Sequence, residues 1–428
     1  MSHPELLADA PPSAPGPNAP ATHFFARQPI LDRKRQVFGH EFLFRSGTEN
    51  HFVGYTPAAA HQATLQMVDN SILYDFEWLA GGMAFLNCTR DFLTSNVVGV
   101  LPRKSTVLEL PDDIDPTPQI VETCRDIHVA GYQLALSNFR PRAGMERLLP
   151  LADYIKIDFR ISDAAARRET LRYISLKRSP ARLIAEKVET QEEFDVAARD
   201  HFHFFQGFFF CEPVMLSRDQ IPTNVLNHLA LLAAVNKTAF DWWEIERLVR
   251  SDPALLYRLL RLVNSVGFAT ATQISSVHAA LMILGEVKFR KLALLAVTTE
   301  LSRNKPSELL FLALQRATFC ELAAYSLHQD PSEQYLFGLI SLFPALLGAS
   351  VEQVVDMLPV SAPLKEAMLG KPNGISDALH TMLRYELDPS EDRDMWDSAR
   401  TALKDEDVER WYHESMERAH QAAHAYTS

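Results

Sequence analysis

Polar and charged residues recur at or near the ends of short apolar runs in the first half of the chain: Asn87, Glu109, Ser137, Lys156, Glu186 and Gln206. Residues of these types supply oxygen ligands for hard cations and groups that move protons, so their recurrence at one kind of position is the first functional signal. Other chemistry-bearing groups are sparser. His420 and His424 stand one helical turn apart and could chelate a metal, but their surroundings read as a solvated tail helix. Lys288, Arg290 and Lys291 form a small basic cluster that reads as a solvated helix face. Cys88, Cys124, Cys211 and Cys320 lie far apart with no CxxC, which excludes a zinc ribbon and a disulfide scaffold and suits a reducing cytoplasm.

The elements that must position these residues follow from hydrophobic period. Strand patterns run over 24–29, 37–45, 83–87, 106–110, 133–136, 154–157, 183–185 and 202–205, with helical patterns over 58–73, 119–130, 164–177 and 191–199. Strand–helix alternation predicts a parallel sheet, and eight strands in this length predict a small TIM-like (β/α) barrel. Such barrels carry their chemistry at the C-terminal ends of the strands. The aromatic run from Phe202 to Phe210 is read as barrel closure and domain packing. From about Leu216 the pattern is helical throughout, with Ser251-Asp252-Pro253 as a capped helix start. The expected organisation is a flexible arm over 1–21, which holds six prolines, a barrel over 22–215, and a helical domain with an acidic tail over 216–428.

The chain has 428 residues, 47% of them hydrophobic, and a formal net charge of −12. That is enough apolar material for two domains and too acidic for a dedicated DNA-binding protein. The tail from 386 onward has 12 acidic residues against 5 basic ones, so most of the negative charge belongs there. No stretch is long and apolar enough for a membrane helix, no signal peptide is evident, and a cytoplasmic location is expected.

The barrel half resembles the EAL domain, the module that hydrolyses the bacterial second messenger cyclic di-GMP. The residues that carry the resemblance are Ala26-Arg27-Gln28-Pro29-Ile30, Glu41-Phe42-Leu43 at the namesake position, Leu86-Asn87, Leu108-Glu109-Leu110, Ile155-Lys156-Ile157-Asp158, Ala185-Glu186-Lys187-Val188-Glu189-Thr190 and Gln206-Gly207-Phe208, all in the family's order. The helical half resembles the HDOD domain, an output module related to the HD hydrolases, through Ser251-Asp252-Pro253-Ala254-Leu255, Leu262-Val263-Asn264-Ser265 and Gly338-Leu339-Ile340-Ser341-Leu342. The fold class implied is α/β plus all-α.

The EAL resemblance implies Glu41, Asn87 and Glu109 as metal ligands, Lys156 acting on the attacking water, Glu186 as a further metal-side carboxylate, and Gln28, Arg45, Glu189 and Gln206 as ligand-site residues. The family's Asp-Asp pair, whose first member bridges two metals, stands here as Ser137-Asn138. Hydrolysis by two cations needs both to be held by several carboxylates, so this departure predicts a catalytically inactive barrel that needs no cofactor. Glu41, Asn87 and Glu109 are then residual candidates, with Lys156 and Glu186 vestigial. There is no His-Asp dipeptide anywhere, so the helical half is expected to bind a signalling protein rather than to catalyse. The expectation is thus a non-enzymatic signalling protein of open oligomeric state, whose barrel either senses cyclic di-GMP without cleaving it or only stabilises the molecule. The alternative is a working phosphodiesterase that uses Mg²⁺ or Mn²⁺ to give the linear dinucleotide.

Overall fold

Strands β1 (Phe25–Asp32) and β2 (Val37–Phe44) are joined by residues 33–36, too short a link for a crossover, so they pair antiparallel. The Asp32 carboxylate accepts the backbone N–H groups of Lys34 and Gln36 (2.8 Å each) and closes the turn. The structure is a computed structural model; it describes residues 25–44, 82–94, 98–99, 101–211, 223–237, 240–265, 276–303, 305–358, 360–371, 373–386 and 403–427. The expected helix over 58–73, the arm and Arg45 lie outside these residues, as does the expected domain boundary at 215/216.

Six further strands follow: β3 (Met83–Asn87), β4 (Thr106–Leu110), β5 (Gln133–Leu136), β6 (Tyr154–Asp158), β7 (Arg182–Glu186) and β8 (Phe204–Gln206). The helices of this half are α1 (Arg90–Leu93), α2 (Pro118–Val129), α3 (Ala164–Leu176) and α4 (Gln191–Arg199). The eight strands close into a barrel in chain order. Strands β2 to β8 pair parallel, but β1 is antiparallel to both β2 and β8, which corrects the expectation of a parallel sheet throughout.

Strand alternation sorts the barrel interior into layers. Ile30, Phe85, Val107, Ala135, Tyr154, Ile184 and Phe204 form one apolar cluster, with Phe38 and Met83 against it. Two residues further along their strands, on the same face, stand Asn87, Glu109, Ser137, Lys156, Glu186 and Gln206, so the polar layer is stacked on a packed apolar floor. Outside the barrel, Phe205 and Phe209 pack with Phe194 of α4, in line with the closure expected of the aromatic run.

The second half is helical: α5 (Thr223–Asn236), α6 (Trp242–Arg250), α7 (Pro253–Ser265), α8 (Val277–Ser302), α9 (Ser307–Ala324), α10 (Pro331–Ile340), α11 (Phe343–Leu347), α12 (Val351–Met357), α13 (Ala362–Met368), α14 (Asp377–Glu386) and α15 (Asp405–Thr427). The Asp252 carboxylate caps α7 by accepting the N–H groups of Ala254 and Leu255. Helix α15 is not the solvated tail expected. Its Val408, Trp411, Tyr412, Met416 and Ala419 are buried, with Trp411 against Phe319 of α9 and Tyr412 against Tyr385 of α14. An apolar stripe at helical spacing offsets its acidic composition.

Candidate functional site

Parallel pairing carries the polar residues of neighbouring strands to one level. Asn87 lies opposite Glu109, and Asp158 opposite Glu186. Gln28 of β1 lies opposite Glu41 of β2. The loop after β7 is fixed from both sides: the Val188 N–H donates to the Gln206 carbonyl, and the Val188 carbonyl accepts from Phe209. Gly207 has φ +138°, and a Cβ there would sit 2.2 Å from the Val188 carbonyl oxygen, so only glycine fits this contact. Thr190 and Glu193 form a capping box that starts α4 directly after this loop.

The centre of the site is Lys156, which is fully buried. Its ammonium lies 2.8 Å from Glu41 Oε2, 2.8 and 2.9 Å from the two oxygens of Glu109, and 2.8 Å from Glu186. Asn87 Nδ2 donates to Glu41 Oε1 (2.8 Å), and Gln206 Nε2 donates to Glu41 Oε2 (2.6 Å) and to Gln28 Oε1 (3.0 Å). The Ser137 hydroxyl donates to Glu109 Oε2 at 2.6 Å. Seven strands thus contribute one member each to a single hydrogen-bonded set, with Ser137 following the eighth, β5.

One ammonium cannot neutralise three buried carboxylates, and the protons distribute accordingly. Burial, reinforced by repulsion from Glu41 and Glu186, pushes Glu109 up to about 8 against the pull of Lys156. Burial likewise raises Glu186. Burial acts on Glu41 in the same sense, yet the attraction of Lys156 and the donors Lys156, Gln206 and Asn87 outweigh it and hold Glu41 below its usual range. Burial would lower the Lys156 ammonium, but the three carboxylates win and hold it well above the lysine range.

The remaining expected residues are placed apart from this centre. Asn138 adopts φ 45° and donates to Asp112 Oδ2 (3.0 Å), away from the carboxylates. The Glu189 side chain is 58% exposed and lies 3.7 Å from Arg160, with its backbone N–H held by Glu193. Lys187 reaches the buried carboxylate of Asp158 at 3.3 Å. In the helical half, Arg290 pairs with Glu286 and lies over the Phe240 ring, and Lys291 pairs with Glu321 and lies over Tyr335, so these two are half-buried rather than on the solvated face expected.

Glu41, Glu109 and Glu186 each offer an oxygen within 4.8 Å of the others, a set that fits one hard divalent cation. Ser137 and Asn138 offer no carboxylate for a second. The sequence did not single out Arg27, His40, Glu308 and Glu386, which flank the site on its helical side. Their signal was available: Arg27 and His40 are polar residues one position away from Gln28 and Glu41 in otherwise apolar strands.

Comparisons with known proteins agree with this division. Residues 221–350 match the HDOD domain family. A Vibrio cholerae protein named cyclic di-GMP phosphodiesterase CdgJ is 35% identical over 81% of this chain and 81% of its own length. The uncharacterized protein YuxH of Bacillus subtilis is 31% identical over 93% of this chain and 98% of its own. The EAL domain of Mycobacterium smegmatis DcpA is 21% identical in sequence, with a TM-score of 0.33 over 44% of this chain and 91% of that domain. Among the described residues, no helix is long and apolar enough to cross a membrane. The relative from Vibrio points to an enzyme and overturns the expectation of a non-enzyme drawn from Ser137-Asn138. The physical reason is visible in the site: the loss of one carboxylate pair leaves three carboxylates gathered around Lys156. With 35% and 31% identity to relatives covered over most of their length, an eight-stranded barrel in its first half and an HDOD match over 221–350, the chain belongs to the EAL–HDOD family.

Proposed function

We propose that the chain is a cyclic di-GMP phosphodiesterase that yields the linear dinucleotide and works with a single Mg²⁺ or Mn²⁺. The observation that carries this reading is the buried cluster of Glu41, Glu109 and Glu186 around Lys156, built on the strand ends where barrels do chemistry. The name of the Vibrio relative supports the substrate. Glu41, Glu109 and Glu186 hold the cation, with Asn87 beside Glu41. Such a cation supplies charge neutralisation at a phosphoryl oxygen and an acidified water. Lys156 keeps its proton and places a positive charge beside the carboxylates, where charge develops as the diester is attacked. Gln28 and Gln206 line the same rim and orient the substrate. In this reading the HDOD domain engages a signalling protein.

The test is product analysis on the purified full-length protein with cyclic di-GMP and either cation. Linear dinucleotide is expected, and Glu41→Gln should abolish it. Absence of product with both cations at millimolar concentration ends the reading.

A further inference from the structure

Gln28 belongs to both halves of the molecule. Its Oε1 accepts from Gln206 Nε2, which also donates to Glu41, while its own Nε2 donates to the main-chain carbonyl of Glu386 (3.1 Å) at the end of α14. A short chain of hydrogen bonds therefore runs from a site carboxylate to the backbone of the helical domain.

The opposite faces of the same strands meet that domain directly. Residues adjacent to Gln28 and Glu41 point the other way by strand alternation. Arg27 lies 3.3 Å from Glu308 Oε1 on α9 and stacks on the Phe311 ring at 3.8 Å, and His40 Nε2 lies 3.6 Å from Glu308 Oε2. All three polar partners are buried.

This interface is polar and incompletely paired. Among the described residues, Arg27 Nε, His40 Nδ1, Arg316 Nε and Glu386 Oε2 are buried there with no hydrogen-bond partner. Each buried unpaired group costs the docked state the hydration it would regain on opening. An interface of this make-up holds its geometry with a small margin, unlike an apolar core.

We propose that the helical domain sets the geometry of the barrel's carboxylate site through Gln28, with the Arg27–Glu308–His40 contact as the latch that seats it. Gln28 is the positioning residue, and a partner that shifts α9 or α14 resets the site. The inference rests on the proposed function for its kinetic arm only.

The test uses full-length protein and two variants. Glu308→Gln removes the latch charge, and the double variant Arg27→Met with Glu308→Met replaces the ion pair by apolar groups of similar length, a change buried pairs commonly tolerate. Hydrogen exchange by mass spectrometry reads peptides covering Met83–Asn87 and Thr106–Leu110, which carry Asn87 and Glu109 on strands that pair with neither β1 nor the helical domain. Exchange there should rise severalfold in both variants. The kcat for cyclic di-GMP should fall roughly tenfold or more, with KM changed far less, the scale expected when site groups shift by a fraction of an ångström. Strand exchange equal to the parent's, with changes confined to α9 and α14, overturns the proposal. If the parent shows no turnover, the phosphodiesterase reading falls, and strand exchange alone decides the coupling.

Discussion

The Glu386 carboxyl closes α14 beside the barrel and is almost fully buried. Burial pushes it up to about 7, helped by Glu308 on α9 and opposed by Arg316 of α9, the Tyr412 hydroxyl of α15 and Arg27 of β1. In the unfolded chain the same group titrates near 4.5. The sign follows directly. Below about pH 4.5 both states hold the proton and the residue is neutral in effect. Between 4.5 and 7 the unfolded state releases it while the fold retains it, so stability falls as pH rises and levels off above 7. A rise of about 2.5 units at 1.36 kcal/mol per unit gives a penalty of about 3 kcal/mol at pH 8. Glu386→Gln keeps the shape and removes the ionisation. The variant should therefore exceed the parent by less than about 1 kcal/mol at pH 5 and by about 3 kcal/mol at pH 8. Urea unfolding followed by intrinsic tryptophan fluorescence at pH 5, 6, 7 and 8 reads this difference, with Trp411, packed on α9, as one of five reporters. A variant less stable than the parent by the same amount at every pH would refute the reasoning, since it would mean that the carboxylate is held by its ionised partners rather than opposed by burial.

Lys156→Met leaves three carboxylates within 4.8 Å of one another with no cation among them. The apo protein should lose about 3–5 kcal/mol, and Mn²⁺ should raise its melting temperature more than the parent's; an equal rise would count against a shared cation site. Because Glu109 holds its proton up to about 8, binding a cation there expels that proton. Mn²⁺ affinity by calorimetry should then climb by up to about tenfold per pH unit from 6 to 8 and flatten above; a flat profile would exclude Glu109 as a ligand. A Cβ at Gly39 would lie 2.3 Å from the Met83 carbonyl oxygen, so Gly39→Ala should splay β2 from β3, part Glu41 from Asn87, and cost about 2 kcal/mol or more. Unchanged melting with full turnover would show that the strands absorb the clash.

The barrel was legible because its signals are local. The runs over 83–87, 106–110 and 133–136 are short, β-branched or apolar, and stand as β3, β4 and β5 with the expected limits. What period could not reveal was direction: the first two runs differ from the others only in their short link, and that link makes β1 antiparallel to β2. The site residues were legible by position, and their pairing in part: a lysine on an inward strand end among Glu109 and Glu186 is read as a buried ion-pair partner of one of them. Nothing in the sequence says that Lys156 reaches Glu41, Glu109 and Glu186 together, since the contacts span strands separated by up to 115 residues. The contribution of the helical domain was hidden for the same reason, because Arg27 and Glu308 are 281 residues apart.

The Ser137-Asn138 replacement also has an electrostatic sense that residue types alone could not display. A carboxylate in place of the Ser137 hydroxyl would stand beside Glu109, which is already driven up to about 8 by burial and by Glu41 and Glu186. The hydroxyl instead donates to Glu109, and it stabilises the ionised form without adding charge. The cluster thereby holds three carboxylates rather than more, a charge that one lysine together with one divalent cation would balance. In the proposed one-cation reading, the residues that leave no ligands for a second cation also spare the site a further buried charge. Its neighbour Asn138 turns away at φ 45° and donates to Asp112.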